Sequence, residues 1–176
     1  MNRTFTFLAL LLLSAISSQL ASAQFSRLFS SGPAIETIQT SDLQQMLSEQ
    51  KQAAEKAKAA GETPPASDFV VVDVRSDAEI QVSVIPGSIT KAEYEKNAKK
   101  YQGRTAIAYC LSGGRSKKYA QKLAGEGVKV KNYQDSILGW VEAGLPLVTV
   151  EGKPTRRVHT FSDRYSVPAG YEQVTQ

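Results

Sequence analysis

The sequence predicts an α/β domain built on a parallel sheet with helices on both faces, and three features carry that reading. Two short runs, Phe69 to Val74 and Thr105 to Tyr109, are almost continuously apolar, as strands covered on both faces are. Strand-like runs and helical periodicity alternate along the chain, the pattern of right-handed strand-helix-strand crossovers. Glycine and proline punctuate the boundaries, at Gly61, Pro64-Pro65, Pro86-Gly87, Gly125, Gly127, Gly144 and Pro146.

At the N-terminus, Met1 to Thr4 carries Arg3, Phe5 to Ile16 is nearly unbroken apolar sequence, and Ala21-Ser22-Ala23 offers small residues for cleavage. This is the order of a secretory signal peptide. The apolar run is shorter than the roughly 18 to 20 residues that cross a bilayer as a helix. Residues 1–23 are therefore read as a removable signal, with an exported protein and no stable membrane insertion afterwards; a bacterial periplasm is favoured over an extracellular space. Residues 24–34 read as a leader segment, 35–150 as the domain, and 151–176 as a C-terminal tail or a strap over the surface.

Within the domain, Ser41 and Gln44 have the spacing of a capping box, and Leu43, Met46 and Leu47 follow at helical spacing, so a helix is expected from about Asp42. Its second half, Lys51 to Ala60, offers only alanines as apolar residues and is expected to project into solvent up to Gly61. After the Phe69 run come a short helix around Asp77 to Val82, the Pro86-Gly87 turn and a polar helix around Ala92 to Tyr101. The Thr105 run ends in Cys110. A glycine-containing loop follows, then a helix with Tyr119, Ala120, Leu123 and Ala124 on one face and Lys117, Lys118, Gln121 and Lys122 on the other. Val128 to Tyr133 reads as a further strand, and Ile137 to Ala143 as a last short helix in which Trp140 is a core residue.

Composition removes several function classes. The chain has 176 residues, 41% hydrophobic, with a single cysteine and a single histidine. A disulfide scaffold and a multi-thiolate metal site are excluded, and no metal or cofactor is implied. The net charge of +4 is spread in mixed clusters, which argues against a nucleic-acid partner. His159 reads as an exposed tail residue rather than a base, and Arg156-Arg157 as a solvated pair.

The chemistry is expected at Cys110. It closes a buried strand, and Leu111-Ser112-Gly113-Gly114-Arg115 leads straight into a helix; ligands of open α/β sheets bind at such strand ends. Gly113 and Gly114 let successive N–H groups turn inward. Those amides, the helix N-terminus and Arg115 would favour thiolate over thiol. An unpaired cysteine in an exported chain also asks for a chemical explanation rather than an inert core thiol.

Four segments carry a resemblance: Asp73-Val74-Arg75 with Glu79, then Ile85-Pro86-Gly87-Ser88-Ile89, then Tyr109-Cys110-Leu111-Ser112-Gly113-Gly114-Arg115-Ser116, and Gly139-Trp140 with Ala143-Gly144-Leu145-Pro146. In this order the chain resembles the single-domain rhodanese-like sulfurtransferases, over roughly Ile35 to Val150. The resemblance implies a three-layer α/β/α fold with a mostly parallel sheet of about five strands. It implies Cys110 as the nucleophile that becomes a persulfide, Leu111 to Arg115 as the loop holding that persulfide, with Arg115 assisting an anionic donor. Asp73 and Arg75 would be supports beneath the loop, with Glu79 as ion-pair partner of Arg75. The expected partners are a small anionic sulfur donor and a thiol or cyanide-type acceptor, which includes an acceptor protein.

Two departures stand out. Ser83-Val84 occupies the place where many relatives carry Gly-His, and Arg115 is the only charged residue in the loop, with Lys117 and Lys118 near its rim. Related phosphatases carry one more residue between cysteine and arginine; here four intervene and Ser116 holds the phosphatase arginine position. The remaining competitor is a catalytically silent module that binds a partner or senses redox state through Cys110.

Overall fold

The computed structural model describes residues 33–175. The signal read on 1–23 and nearly all of segment 24–34 lie outside the described residues. Five strands form one sheet in the order β1-β5-β4-β2-β3, every pair parallel: β1 Glu36–Ile38, β2 Phe69–Asp73, β3 Ile89–Thr90, β4 Thr105–Tyr109 and β5 Val130–Tyr133. The two apolar runs are the neighbours β2 and β4, aligned from Phe69 opposite Thr105 to Asp73 opposite Tyr109. Both chemically interesting segments therefore leave the sheet at the same edge.

The period of two along these strands divides the core into two layers. Phe69 and Val71 of β2 and Ile107 and Tyr109 of β4 face one apolar cluster, with Leu43, Ile137, Trp140 and Val141 from helices α1, Thr40–Ala59, and α5, Ser136–Glu142. Val70, Val72, Ala106 and Ala108 face the other, with Tyr94 of α3, Lys91–Lys96, Tyr101 of a following 3-10 turn, and Tyr119 and Leu123 of α4, Gly114–Gly125. A helix layer thus covers each face, and burial of both faces explains why β2 and β4 read as continuous apolar runs. Trp140 is 4% exposed and its indole N–H donates to the Pro146 carbonyl at 2.8 Å.

Local chemistry shifts two expectations. Helix α1 begins at Thr40, because Gln39 rather than Ser41 occupies the N-cap and its backbone N–H donates to Asp42 Oδ2 at 2.9 Å. The expected polar helix divides into α3 and the 3-10 turn at Asn97, whose side chain donates to the Glu93 carbonyl. The strands β1 and β3, of three and two residues, were not read from the sequence.

The C-terminal segment folds back on the domain. β6, Leu147–Val148, pairs antiparallel with β7, Pro154–Thr155, and β8, Arg157–His159, pairs in parallel with β9, Glu172–Val174. Val158 is fully buried in the first core cluster. His159 is 6% exposed, which corrects its reading as an exposed residue: β8 packs against the short helix α2, Asp77–Val82, and carries His159 inside with it. One buried valine among polar neighbours leaves no periodicity for sequence reasoning to find. No described helix is long and apolar enough to cross a membrane.

Candidate active site

Cys110 follows β4 directly, and α5 shapes the loop beyond it. The N–H groups of Ile137 and Leu138 donate to the carbonyls of Cys110 and Leu111, both at 3.2 Å. With those carbonyls drawn toward α5, the loop amides turn to the sulfur: the Gly113 N–H donates to Cys110 Sγ at 3.2 Å. Gly113 holds this turn at φ 86°, and a Cβ there would lie 2.3 Å from the Gln134 carbonyl oxygen. Only glycine meets both conditions.

Two hydroxyls complete the surroundings of the sulfur. Ser116 Oγ lies 3.6 Å from Sγ and 2.7 Å from Asn132 Oδ1, and Ser136 Oγ lies 3.9 Å from Sγ while accepting the Cys110 N–H at 3.1 Å. Ser136 reaches that position with φ 55°, an uncommon backbone state for a residue with a side chain. Burial opposes charge on the thiol, yet hydrogen bonds from the Ser116 hydroxyl, the Ser116 and Ser112 amides and the Ser136 hydroxyl lower its pKa below the ordinary value. The sulfur is thereby disposed to be a thiolate. Sequence reasoning missed Ser136, which is remote in the chain, and saw Ser116 only as a missing arginine.

The supporting residues form two separate ion pairs. Arg75 folds back on Asp73, with Nη2 to Oδ2 at 2.7 Å and both side chains fully buried, and also donates to the Ser83 carbonyl at 2.6 Å. Burial opposes the charge on Arg75, and Asp73 overrides it and raises the pKa. Tyr109 donates its phenol proton to Asp73 at 2.6 Å and accepts the Ile85 N–H, so the network fastens the ends of β2 and β4 to the Pro86-Gly87 turn.

Glu79 does not pair with Arg75. It makes a two-pronged contact with Arg115, both distances 2.7 Å, because its place in the first turn of α2 points its carboxylate at the first turn of α4. Burial works against its charge, but hydrogen bonds from Arg115 and Ser76 bring the Glu79 carboxyl down to about 2. Arg115 is thus fixed at the rim of the site rather than free to follow a ligand.

A cavity of about 410 Å³ opens above the sulfur. Cys110, Leu111, Ser112, Gly114 and Arg115 line it from the loop, and Lys118 lines it from α4. Lys117 is not among the lining residues. The remaining wall is Phe161 and Tyr165, from the loop between β8 and β9. Nothing in the local sequence signalled those two, since they arrive through the chain reversal of the C-terminal segment. Among the described residues no cluster of His, Cys, Asp and Glu is placed to hold a metal ion.

The chain is similar to several known proteins. A protein of Allochromatium vinosum named "Sulfurtransferase" is 33% identical over 95 residues, 48% of this chain and 83% of that one. Among solved structures, a Bacillus halodurans protein matches with a TM-score of 0.48 at 19% identity, over 77% of this chain and 88% of that one. A rhodanese-related protein from Thermoplasma volcanium matches with a TM-score of 0.46 at 23% identity, over 64% and 97%. The family described as Rhodanese-like domain matches residues 47–143, from the middle of α1 to the end of α5 and across the whole cysteine loop. With the parallel five-stranded sheet and the cysteine at the end of its central strand, this chain belongs to the rhodanese-like family.

Proposed function

We propose that the protein is a sulfurtransferase that carries a sulfane sulfur on Cys110 from an anionic or persulfide donor to a thiophilic acceptor. The observation that carries this reading is the sulfur's own environment: an amide at 3.2 Å and two hydroxyls within 4 Å, at the floor of an open cavity. Donors around a sulfur stabilise a thiolate before reaction and a charged terminal sulfur after it. The thiolate attacks the outer sulfur of the donor, an S–S bond forms at Cys110, and the donor's S–S bond breaks with its electron pair on the leaving group. An acceptor nucleophile then takes the outer sulfur and returns the thiolate, a covalent mechanism in two half-reactions.

Arg115 supplies positive charge at the rim, while its pairing with Glu79 commits much of its hydrogen-bonding capacity. A singly charged donor, a persulfide or thiosulfonate, needs less charge recognition than thiosulfate and is the donor this rim suits better. We place the reaction in an exported compartment, the periplasm, on the signal-like order of residues 1–23; sequencing the N-terminus of the exported protein is expected to begin at Gln24.

The deciding measurement is the intact mass of the reduced protein after exposure to thiosulfate and to a persulfide donor, then after cyanide, beside Cys110→Ser. Gain of one sulfur atom that cyanide removes, absent in Cys110→Ser, is the expected result. Failure to gain sulfur from either donor would overturn the proposal in favour of a silent binding module.

A further inference from the structure

The transfer chemistry explains the cysteine loop but leaves the aromatic wall facing it without a purpose. Phe161 is 72% exposed, more than any other large apolar residue among those described. Its backbone sits at φ 64°, a state bulky residues avoid and one that the surrounding structure must enforce. The loop does enforce it. The Phe161 N–H donates to His159 Nδ1 at 3.1 Å, the Thr160 N–H to the Val174 carbonyl at 2.9 Å, and the Gln173 side-chain amide to Tyr165 O at 2.7 Å and Thr160 Oγ1 at 2.8 Å. An ordered loop thus holds a strained, solvent-facing ring beside the reactive sulfur.

The cavity it borders is also larger than an inorganic sulfur oxyanion requires. At about 410 Å³ it falls within the range of roughly 300–1,000 Å³ typical of sites for organic ligands. Lys118 adds positive charge to a lining that otherwise includes Leu111, Phe161, Tyr165 and the Glu79-paired guanidinium of Arg115. We infer that Phe161 and Tyr165 form a subsite for the apolar body of an organic sulfane-sulfur donor, an aryl- or alkyl-substituted thiosulfonate or persulfide, whose charged end meets Lys118 and Arg115. This inference rests on the sulfur-transfer reading of Cys110. With a thiosulfonate, the Cys110 thiolate attacks the outer sulfur, the donor's S–S bond breaks with its electron pair on the departing sulfinate, and Cys110 keeps a charged persulfide. Charge is conserved and no oxidant is consumed.

Benzenethiosulfonate and methanethiosulfonate test this directly, since they share the reacting sulfur and differ only in the body. Loading of Cys110, followed by intact mass on the full reduced protein, is expected to show a kcat/KM for the benzene donor about tenfold above the methane donor, the scale of one aromatic contact. Phe161→Gly is expected to bring that ratio near one and Phe161→Leu to keep part of it. Glycine adopts φ 64° without strain, so Phe161→Gly is expected to have an equal or higher urea midpoint, which separates lost selectivity from lost folding. A wild-type ratio near one, or a ratio that Phe161→Gly leaves unchanged, would overturn the inference. Titration of benzenesulfinate into Cys110→Ser gives a readout independent of transfer, with weaker binding expected when Phe161→Gly is added. Binding that depends on Phe161 in a protein that loads no sulfur would sink the transfer reading and keep the subsite; loading without that dependence would do the reverse.

Discussion

Cys110 owes its expected reactivity to neighbours that no single residue reveals. Burial alone would raise the pKa of its thiol, and the balance is reversed by the Ser116, Ser112 and Ser136 donors. The rate of alkylation by iodoacetamide should therefore rise with pH through a midpoint below that of an ordinary thiol. Ser116→Ala, which removes a hydroxyl 3.6 Å from the sulfur, should move that midpoint up, because one donor that favours the thiolate is lost. A midpoint unmoved in Ser116→Ala would show that the backbone amides suffice.

At the scale of elements, the decisive contact is between the N-termini of α1 and α5. Thr40 donates from its backbone N–H and its hydroxyl to Asp135 Oδ2, both at 3.0 Å, and lies 2.9 Å from the Tyr133 hydroxyl. This fixes α5, whose first amides hold the carbonyls of the cysteine loop. Gly139 permits the approach: a Cβ there would stand 2.3 Å from Asp135 Cβ and 3.1 Å from Thr40 Oγ1. Gly139→Ala should lower stability by about 1–3 kcal/mol, as overpacking of a close contact does, measured as a lower urea midpoint. It should also raise the iodoacetamide midpoint of Cys110, because α5 can no longer hold the loop in register. Loss of stability without that second change would break the proposed link between α5 and the sulfur. The Gly139-Trp140 segment was legible in the sequence as a motif, whereas its physical reason became visible only with Thr40 and Asp135 beside it.

For the whole molecule, the pair between Glu79 and Arg115 joins α2 to α4 across the mouth of the site. Glu79 ionises at about 2 in the folded chain, against an ordinary value of 4.5. The unfolded chain therefore takes up the proton first as the pH falls. The stabilisation is complete above about 4.5 and is lost as the pH drops toward 2. Glu79→Gln should lower the urea midpoint near neutral pH by the equivalent of about 2 kcal/mol, a figure reduced for the partial exposure of Arg115. It should also flatten the decline between those two pH values. An acid limb of unchanged slope in that variant would assign the decline to other carboxylates.

The sequence by itself determined the sheet-forming runs, the helices that alternate with them and the position of the cysteine at the end of a buried strand. These are local properties: uninterrupted apolar strands, helical spacing and a glycine loop after a strand are all readable from near neighbours. The short strands β1 and β3 were not legible, because two or three residues carry no period and acquire their pairing only from β5 and β2. Tertiary structure alone decided which carboxylate meets which guanidinium, since Asp73 and Glu79 both precede Arg115 and only the ion pair that reaches from α2 to α4 separates their roles. It likewise decided that Ser136 reaches the sulfur, that His159 is buried and that Phe161 and Tyr165 border the cavity. Each of those placements joins residues distant in the chain, where burial and hydrogen bonding are set by the fold rather than by neighbouring residues.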